Sequence, residues 1–202
     1  MIAVVDYGVG NLFSLTSSLS AIGAESIVTG DPEKIKAADK IILPGVGAFE
    51  DARRKLSESG LDKAVAEEAK RGKKLFGICL GMQMLFERSY EYGEHEGLGL
   101  LRGSVVGMQG RISPELKIPH IGWNSLHIKK EHPIFKYVKE GNFVYFVHSY
   151  YAEGCEESLL ATSEYGRDIT AAVALDNVTG TQFHPEKSGE VGLSILKAFA
   201  EW

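Results

Sequence analysis

With 202 residues, 44% of them hydrophobic and 24% charged, the chain has the composition of a globular protein and the length of one domain with a full core. A formal net charge of −5 gives no electrostatic reason to expect nucleic acid or an anionic membrane as partner, and no apolar run approaches the ~20 residues that span a bilayer. Two cysteines, Cys79 and Cys155, make neither a disulfide framework nor a Cys-x-x-Cys metal site.

The opening Met1-Ile2-Ala3-Val4-Val5-Asp6 lacks the basic start and cleavage site of a signal peptide and reads as a strand over 2–6. A cytoplasmic setting with reduced thiols is the expectation. A helix is predicted over 11–22, where Leu12, Leu15, Leu19 and Ile22 share one stripe. Short strands over 25–28 and 40–43, helices over 48–57 and 61–71, and a buried strand over 74–78 follow. The run Met82-Gln83-Met84-Leu85-Phe86-Glu87 reads as the opening of a further helix. Strands separated by helices imply parallel pairing in an α/β, doubly wound sheet flanked by helices, with ligands beyond the carboxyl ends of the strands. The second half changes character: strands over 104–106, 125–128, 143–147, 159–163, 169–175 and 181–183 are joined by turns such as Gly141-Asn142 and Asp176-Asn177. These suggest antiparallel strands added beside the parallel sheet, before a last helix over 191–199. No repeat or linker divides the chain, so residues 1–202 are expected to form a single domain.

Cys79 lies in Gly77-Ile78-Cys79-Leu80-Gly81, between the predicted buried strand and the helix-like run. A glycine on each side allows a sharp turn that exposes the side chain at the end of the sheet, as in a nucleophile elbow with cysteine in place of serine. Backbone N–H groups of the following helix would favour a thiolate and later hold an oxyanion. The plainer alternative is a small buried cysteine. A nucleophile needs a base and the base an orienting group. His184, in Phe183-His184-Pro185-Glu186, follows a predicted strand, and an extended backbone would turn Glu186 toward the same side. His148 is a rival base without an adjacent acid, His120 is ambiguous, and His95, His127 and His132 read as surface or core residues. Pro44-Gly45-Val46-Gly47 is either an N–H donor for an oxyanion, paired with Leu80, or a plain strand-to-helix turn. Gly8-Val9-Gly10 fails as a dinucleotide fingerprint because Phe13 fills the third glycine position. Asp51, Glu58, Glu67 and Glu68 read as solvated carboxylates, and no metal-ligand spacing is present.

Together these segments resemble the class I, triad-type glutamine amidotransferases: Gly77-x-Cys79-x-Gly81, a Pro-Gly-rich strand end upstream, and His184-Pro185-Glu186 downstream. Asp6-Tyr7-Gly8-Val9-Gly10-Asn11 and Pro119-His120-Ile121-Gly122-Trp123-Asn124 are similar, more narrowly, to the glutaminase subunits of imidazole glycerol phosphate synthase. Ile121 stands where methionine is more usual. The resemblance implies a flavodoxin-like glutaminase fold and hydrolysis of glutamine through a Cys79 thioester, with His184 and Glu186 completing a triad. It implies an oxyanion hole from the backbone of Leu80, Val46 and Gly47, and glutamine contacts from Gln83, Glu91, Ser149 and Tyr150. No cofactor or metal is implied. The implied partner is a (β/α)8-barrel cyclase, which would use the ammonia to form imidazole glycerol phosphate and aminoimidazole carboxamide ribotide in histidine biosynthesis. Asn11, Pro119 and Trp123 would lie at the interface, although Trp123 could equally be a core residue. Val46 is β-branched and resists unusual backbone angles. If the donor strand rests in an unproductive orientation, the isolated chain would be a poor glutaminase. The competing readings are a glutaminase for another synthase, such as pyridoxal phosphate synthase, a stand-alone cysteine hydrolase, and a non-catalytic binding module.

Overall fold

Short apolar runs without polar alternation are satisfied when they pair as strands covered on both faces. In the computed structural model, which describes residues 1–202, the covered runs are β1 (Ile2–Val5), β3 (Lys40–Gly45) and β4 (Lys74–Cys79), with the more exposed β2 (Ser26–Thr29) at the sheet edge. They run parallel in the order β2-β1-β3-β4, and β14 (Val178–Thr181) adds a fifth parallel strand beside β4. Successive residues alternate between two cores. Ala3, Val5, Ile41, Leu43 and Leu75 pack with residues of α2 (Pro32–Ala37), α3 (Phe49–Glu58) and α4 (Leu61–Lys70). Ile2, Val4, Ile42, Phe76 and Ile78 pack instead with α1 (Leu12–Ala21) and α6 (Gly189–Glu201). The expected doubly wound α/β architecture is therefore present.

Beyond β14 the sheet turns antiparallel through β13 (Asp168–Leu175), β12 (Leu159–Glu164) and β9 (His127–Ile128). The β13–β14 hairpin closes on Asp176-Asn177, with Asp176 at φ 50°. Two small sheets sit apart. One pairs β8 (His120–Ser125) with β10 (Phe143–His148). The other has the order β11 (Tyr150–Glu153), β7 (Leu101–Gly107), β5 (Phe86–Ser89), β6 (His95–Glu96).

Several expectations need correction. The helix after Cys79 is a single turn, α5 (Leu80–Gln83), and Phe86-Glu87 already belong to β5. Met82, Met84, Leu85 and Phe86 are all buried, so this run has no polar face to offer solvent. Its carbonyls pair elsewhere: Met84 O accepts from Leu98 N at 2.7 Å and Leu85 O from Leu100 N at 2.9 Å. The strand expected over 181–183 ends at Thr181, having begun at Val178. The six-residue α2 was not expected, although Asp31 caps it from the position before Pro32, accepting from Glu33 N at 2.9 Å. Glu68 is buried rather than solvated and accepts from Lys73 Nζ at 2.8 Å and Arg71 at 2.6 Å, with Lys73 foremost in holding its carboxyl below the usual range.

The elbow depends on glycine for space. A Cβ on Gly81 would overlap the Leu43 carbonyl, and one on Gly77 would lie 2.8 Å from backbone atoms of Gly81 and Met82. Backbone cannot yield as a side chain does, so Gly81→Ala is expected to destabilise the fold by about 3 kcal/mol or more. Urea unfolding of the two proteins measures this directly.

Candidate active site

Cys79 is the last residue of β4 and the cap of α5, at φ 53° and ψ −112°. A non-glycine residue at positive φ is strained, and such strain gathers at functional positions. Here the kink turns the side chain out of the sheet, as an elbow requires. Both cysteines are buried, but Cys79 lines a cavity at this end of the sheet, whereas Cys155 packs beside Thr170 and does not. Because α5 is one turn long, its macrodipole contributes less to a thiolate than a full helix would.

His184 is held by its neighbours. Its N–H donates to the Tyr145 carbonyl of β10 at 3.0 Å, and its carbonyl accepts from the Ser188 hydroxyl at 2.6 Å. His184 Nδ1 meets Glu186 Oε1 at 2.8 Å, with both side chains almost fully buried. The pairing comes from a 3-10 turn over Pro185–Lys187, which folds the carboxylate back, and not from the extended tripeptide expected. A carboxylate only accepts, so Nδ1 carries a proton. The other nitrogen, Nε2, is buried without a hydrogen-bonding partner. Burial opposes charge on this imidazole, but the Cys79 sulfur and the Glu186 carboxylate outweigh it and push its pKa up to about 10. This combination favours an imidazolium beside the sulfur.

Every other residue expected at the oxyanion and glutamine positions reaches the same place. Val46, Gly47, Leu80, Gln83, Glu91, Ser149 and Tyr150 line one cavity of about 200 Å³ with Cys79 and His184. The contacts refine their roles. Glu91 Oε2 accepts from Phe49 N at 2.7 Å, which ties it to the start of α3 just beyond Gly47, and burial raises its pKa. Gln83 Nε2 donates to the Tyr150 carbonyl at 3.1 Å and to Gln182 Oε1 at 2.9 Å. The Ser149 carbonyl accepts from Met108 N at 2.9 Å. Gln83 Nε2 is therefore committed to Tyr150 and Gln182, which leaves the oxygen of that amide as its free acceptor.

The rival base is excluded by its partners. His148 Nδ1 lies 2.9 Å from the Tyr150 carbonyl, so it donates, and Nε2 lies 3.1 Å from His120 Nδ1. Burial pushes the pKa of His148 to about 3 and that of His120 to about 4. Both imidazoles are neutral and committed to this chain of bonds.

Sequence reasoning gave no role to Tyr7, Gln182 or Lys187. The buried Tyr7 hydroxyl donates to the Pro44 carbonyl at 2.7 Å and so holds the strand end that carries Val46 and Gly47. Burial, then the nearby Cys79, raises its pKa. Gln182 Nε2 donates to Cys79 Sγ at 3.6 Å, and the exposed Lys187 lines the cavity. The motifs containing Tyr7, Gln182 and Lys187 were visible, but not the direction of each side chain. Asn11 shares a narrow crevice with Pro44, His184 and Glu186. Pro119 is exposed, and Trp123 is 55% exposed beside Tyr145, which rules out the core reading of this tryptophan.

Residues 3–201 match the family described as Glutamine amidotransferase class-I. The chain is 52% identical to "Imidazole glycerol phosphate synthase subunit HisH" of Oceanobacillus iheyensis, over all of this chain and 98% of that protein. It is 50% identical to the protein of the same name from Methanosarcina acetivorans, over 99% and 98%. Among solved structures, a glutamine amidotransferase crystal structure superposes with a TM-score of 0.77 at 20% identity, covering both chains fully. PurLQS from Thermotoga maritima gives 0.76 at 23% identity, over 99% of this chain and 97% of that one, and these two likenesses speak for the fold. With a cysteine elbow, a histidine–glutamate pair and full-length relatives at about half identity, this chain belongs to the class I glutamine amidotransferases, within the HisH group of imidazole glycerol phosphate synthase subunits.

Proposed function

We propose that this chain hydrolyses the side-chain amide of glutamine through a thioester on Cys79, with His184 as acid and base and Glu186 as the orienting group. The observation that carries the reading is the Glu186-paired imidazole beside Cys79 in one small cavity. The thiolate attacks the amide carbon, and the carbonyl electrons move to an oxygen facing the backbone of Leu80 and of Val46 and Gly47. Collapse breaks the C–N bond, and the imidazolium proton leaves with ammonia. Neutral His184 then takes a proton from water, whose oxygen displaces the sulfur; glutamine and water become glutamate and ammonia. The cavity, about 200 Å³, is smaller than the roughly 300 Å³ at which drug-sized ligand pockets begin. That size suits one amino acid.

Free ammonia in neutral water is mostly protonated, so a synthase must receive it directly. The relatives are named as subunits. We infer that the partner here is a (β/α)8-barrel cyclase, which incorporates the ammonia into imidazole glycerol phosphate and releases aminoimidazole carboxamide ribotide. Exposed Ile121 and Trp123 on β8, with Pro119 and Asn11, are the docking candidates. Residues 1–202 act as a single amidotransferase domain in this reading, in a cytoplasm that keeps Cys79 reduced. The test is glutamate release from glutamine by the chain alone and with purified cyclase and its nucleotide substrate, with amide ¹⁵N followed into product. Turnover that rises with the cyclase, with ¹⁵N in the imidazole, is expected. Equal turnover with and without it would refute the dependence on partner.

A further inference from the structure

Gln182 lies just past β14, is fully buried, and is fixed through its backbone N–H, which donates to the Ala171 carbonyl at 2.8 Å. Its carboxamide could face Cys79 with oxygen or with nitrogen, and the surrounding bonds decide which. The Tyr150 carbonyl can only accept, so the Gln83 atom 3.1 Å from it is the nitrogen. The second hydrogen of that nitrogen goes to the Gln182 atom at 2.9 Å, which must then be oxygen. The remaining Gln182 atom, 3.6 Å from Cys79 Sγ, is consequently the NH2 group. His148 reinforces the order by donating Nδ1–H to the same Tyr150 carbonyl at 2.9 Å, filling its second lone pair.

From this we infer that Gln182 is a built-in hydrogen-bond donor to the nucleophile: its amide N–H points at the Cys79 sulfur and stabilises negative charge there, on a bond whose direction is set by Gln83 and the Tyr150 carbonyl. A thiolate accepts such a bond more strongly than a thiol does, so the amide shifts the balance toward the charged form. The cost is intrinsic reactivity, because nucleophilicity falls as the thiol becomes more acidic, with a slope of about 0.4–0.5. Removing the amide should therefore lower the thiolate population and raise the reactivity of each thiolate. The inference rests on the reading of Cys79 as the nucleophile.

The test is the rate of Cys79 alkylation by iodoacetamide against pH, by peptide mass spectrometry on the full chain, for wild type, Gln182→Leu and Gln182→Glu. The titratable groups around the sulfur are His184 with Glu186, Tyr7, His148, Glu91 and Lys187, all unchanged in these variants. For Gln182→Leu the profile midpoint should move up by about one pH unit. Below it the variant should react about threefold more slowly than wild type, and above it about threefold faster. Gln182→Glu keeps the bond from Gln83 but turns an oxygen toward the sulfur, so its midpoint should move further in the same direction; it serves as the readout if the leucine variant does not fold. A purely structural role would change rates without crossing the profiles. Folded variants whose midpoints coincide with wild type would overturn the inference. A Cys79→Ala protein that still hydrolysed glutamine would instead overturn the nucleophile on which it rests.

Discussion

Cys79→Ala is expected to lose glutamine hydrolysis by about 10⁴-fold or more in kcat while the chain stays folded. The size follows from the absence of a substitute. Removing the nucleophile from a unit of nucleophile and base costs nearly everything that the unit supplies, typically about 10⁴–10⁶-fold. Cys155 is buried against Thr170 and does not line the cavity. Ser149 does line it, but the histidine beside it in sequence, His148, has both ring nitrogens engaged by Tyr150 and His120 and stays neutral down to about pH 3. His184, the base that remains, has Nδ1 taken by Glu186 and makes no hydrogen bond to Ser149 through Nε2, and a hydroxyl that no base engages is a poor nucleophile. The fold should tolerate the change because alanine keeps the Cβ that already sits at φ 53° and removes only the sulfur. The measurement is glutamate release in the presence of the cyclase, with thermal unfolding alongside. Residual turnover within a hundredfold of wild type would mean that the reaction does not pass through this thiol.

The parts of this molecule legible in the sequence are those where chemistry and local geometry coincide. Gly77 and Gly81 flank Cys79 because no Cβ fits between β4, α5 and the Leu43 carbonyl, and that spacing shows as a motif. His184 and Glu186 are two residues apart, so their pairing was within reach, although a 3-10 turn produced it. The short apolar runs within 2–6, 40–43 and 74–78, without polar alternation, announced strands covered on both sides. What stayed hidden depends on distant contacts. Gln83 and Gln182 are 99 residues apart, and nothing in either segment states which end of an amide meets which. His120 and His148 face each other only because β8 and β10 pair in that register. The run 82–87 has helix-forming residues, but residues 97–101 compete for its carbonyls and win, leaving a single turn. Trp123 carries no signal separating core from surface until β8 is known to lie outside the main sheet.

The second large effect concerns Glu186, whose carboxylate fixes both the tautomer and the charge of His184. With Oε1 accepting at 2.8 Å, the Nδ1 proton is held in place, and in the proposed reaction Nε2 exchanges a proton with Cys79 and the leaving ammonia. Glutamine at this position can present an N–H instead. Nδ1 would then accept, the proton would sit on Nε2, and His184 could no longer take one from the thiol. Loss of a correctly placed acid–base group costs about 10²–10⁴-fold, so Glu186→Gln is expected to fall in that range in kcat. The pH profile gives an independent check. An anion beside an imidazole raises its pKa, and Glu186 is one of the two groups that overcome burial to bring His184 to about 10. Taking that charge away must move the value down, toward the ~6.5 of a free histidine. The imidazolium is the form that protonates ammonia, so activity should hold on the acid side of this value and decline as pH rises through it. For wild type the alkaline limb of kcat/KM is accordingly expected near pH 10, as a property of the coupled thiol–imidazole pair. In Glu186→Gln it should shift to lower pH by about one unit or more. A variant with reduced kcat but an unmoved alkaline limb would limit Glu186 to holding the ring in place, without a part in its charge.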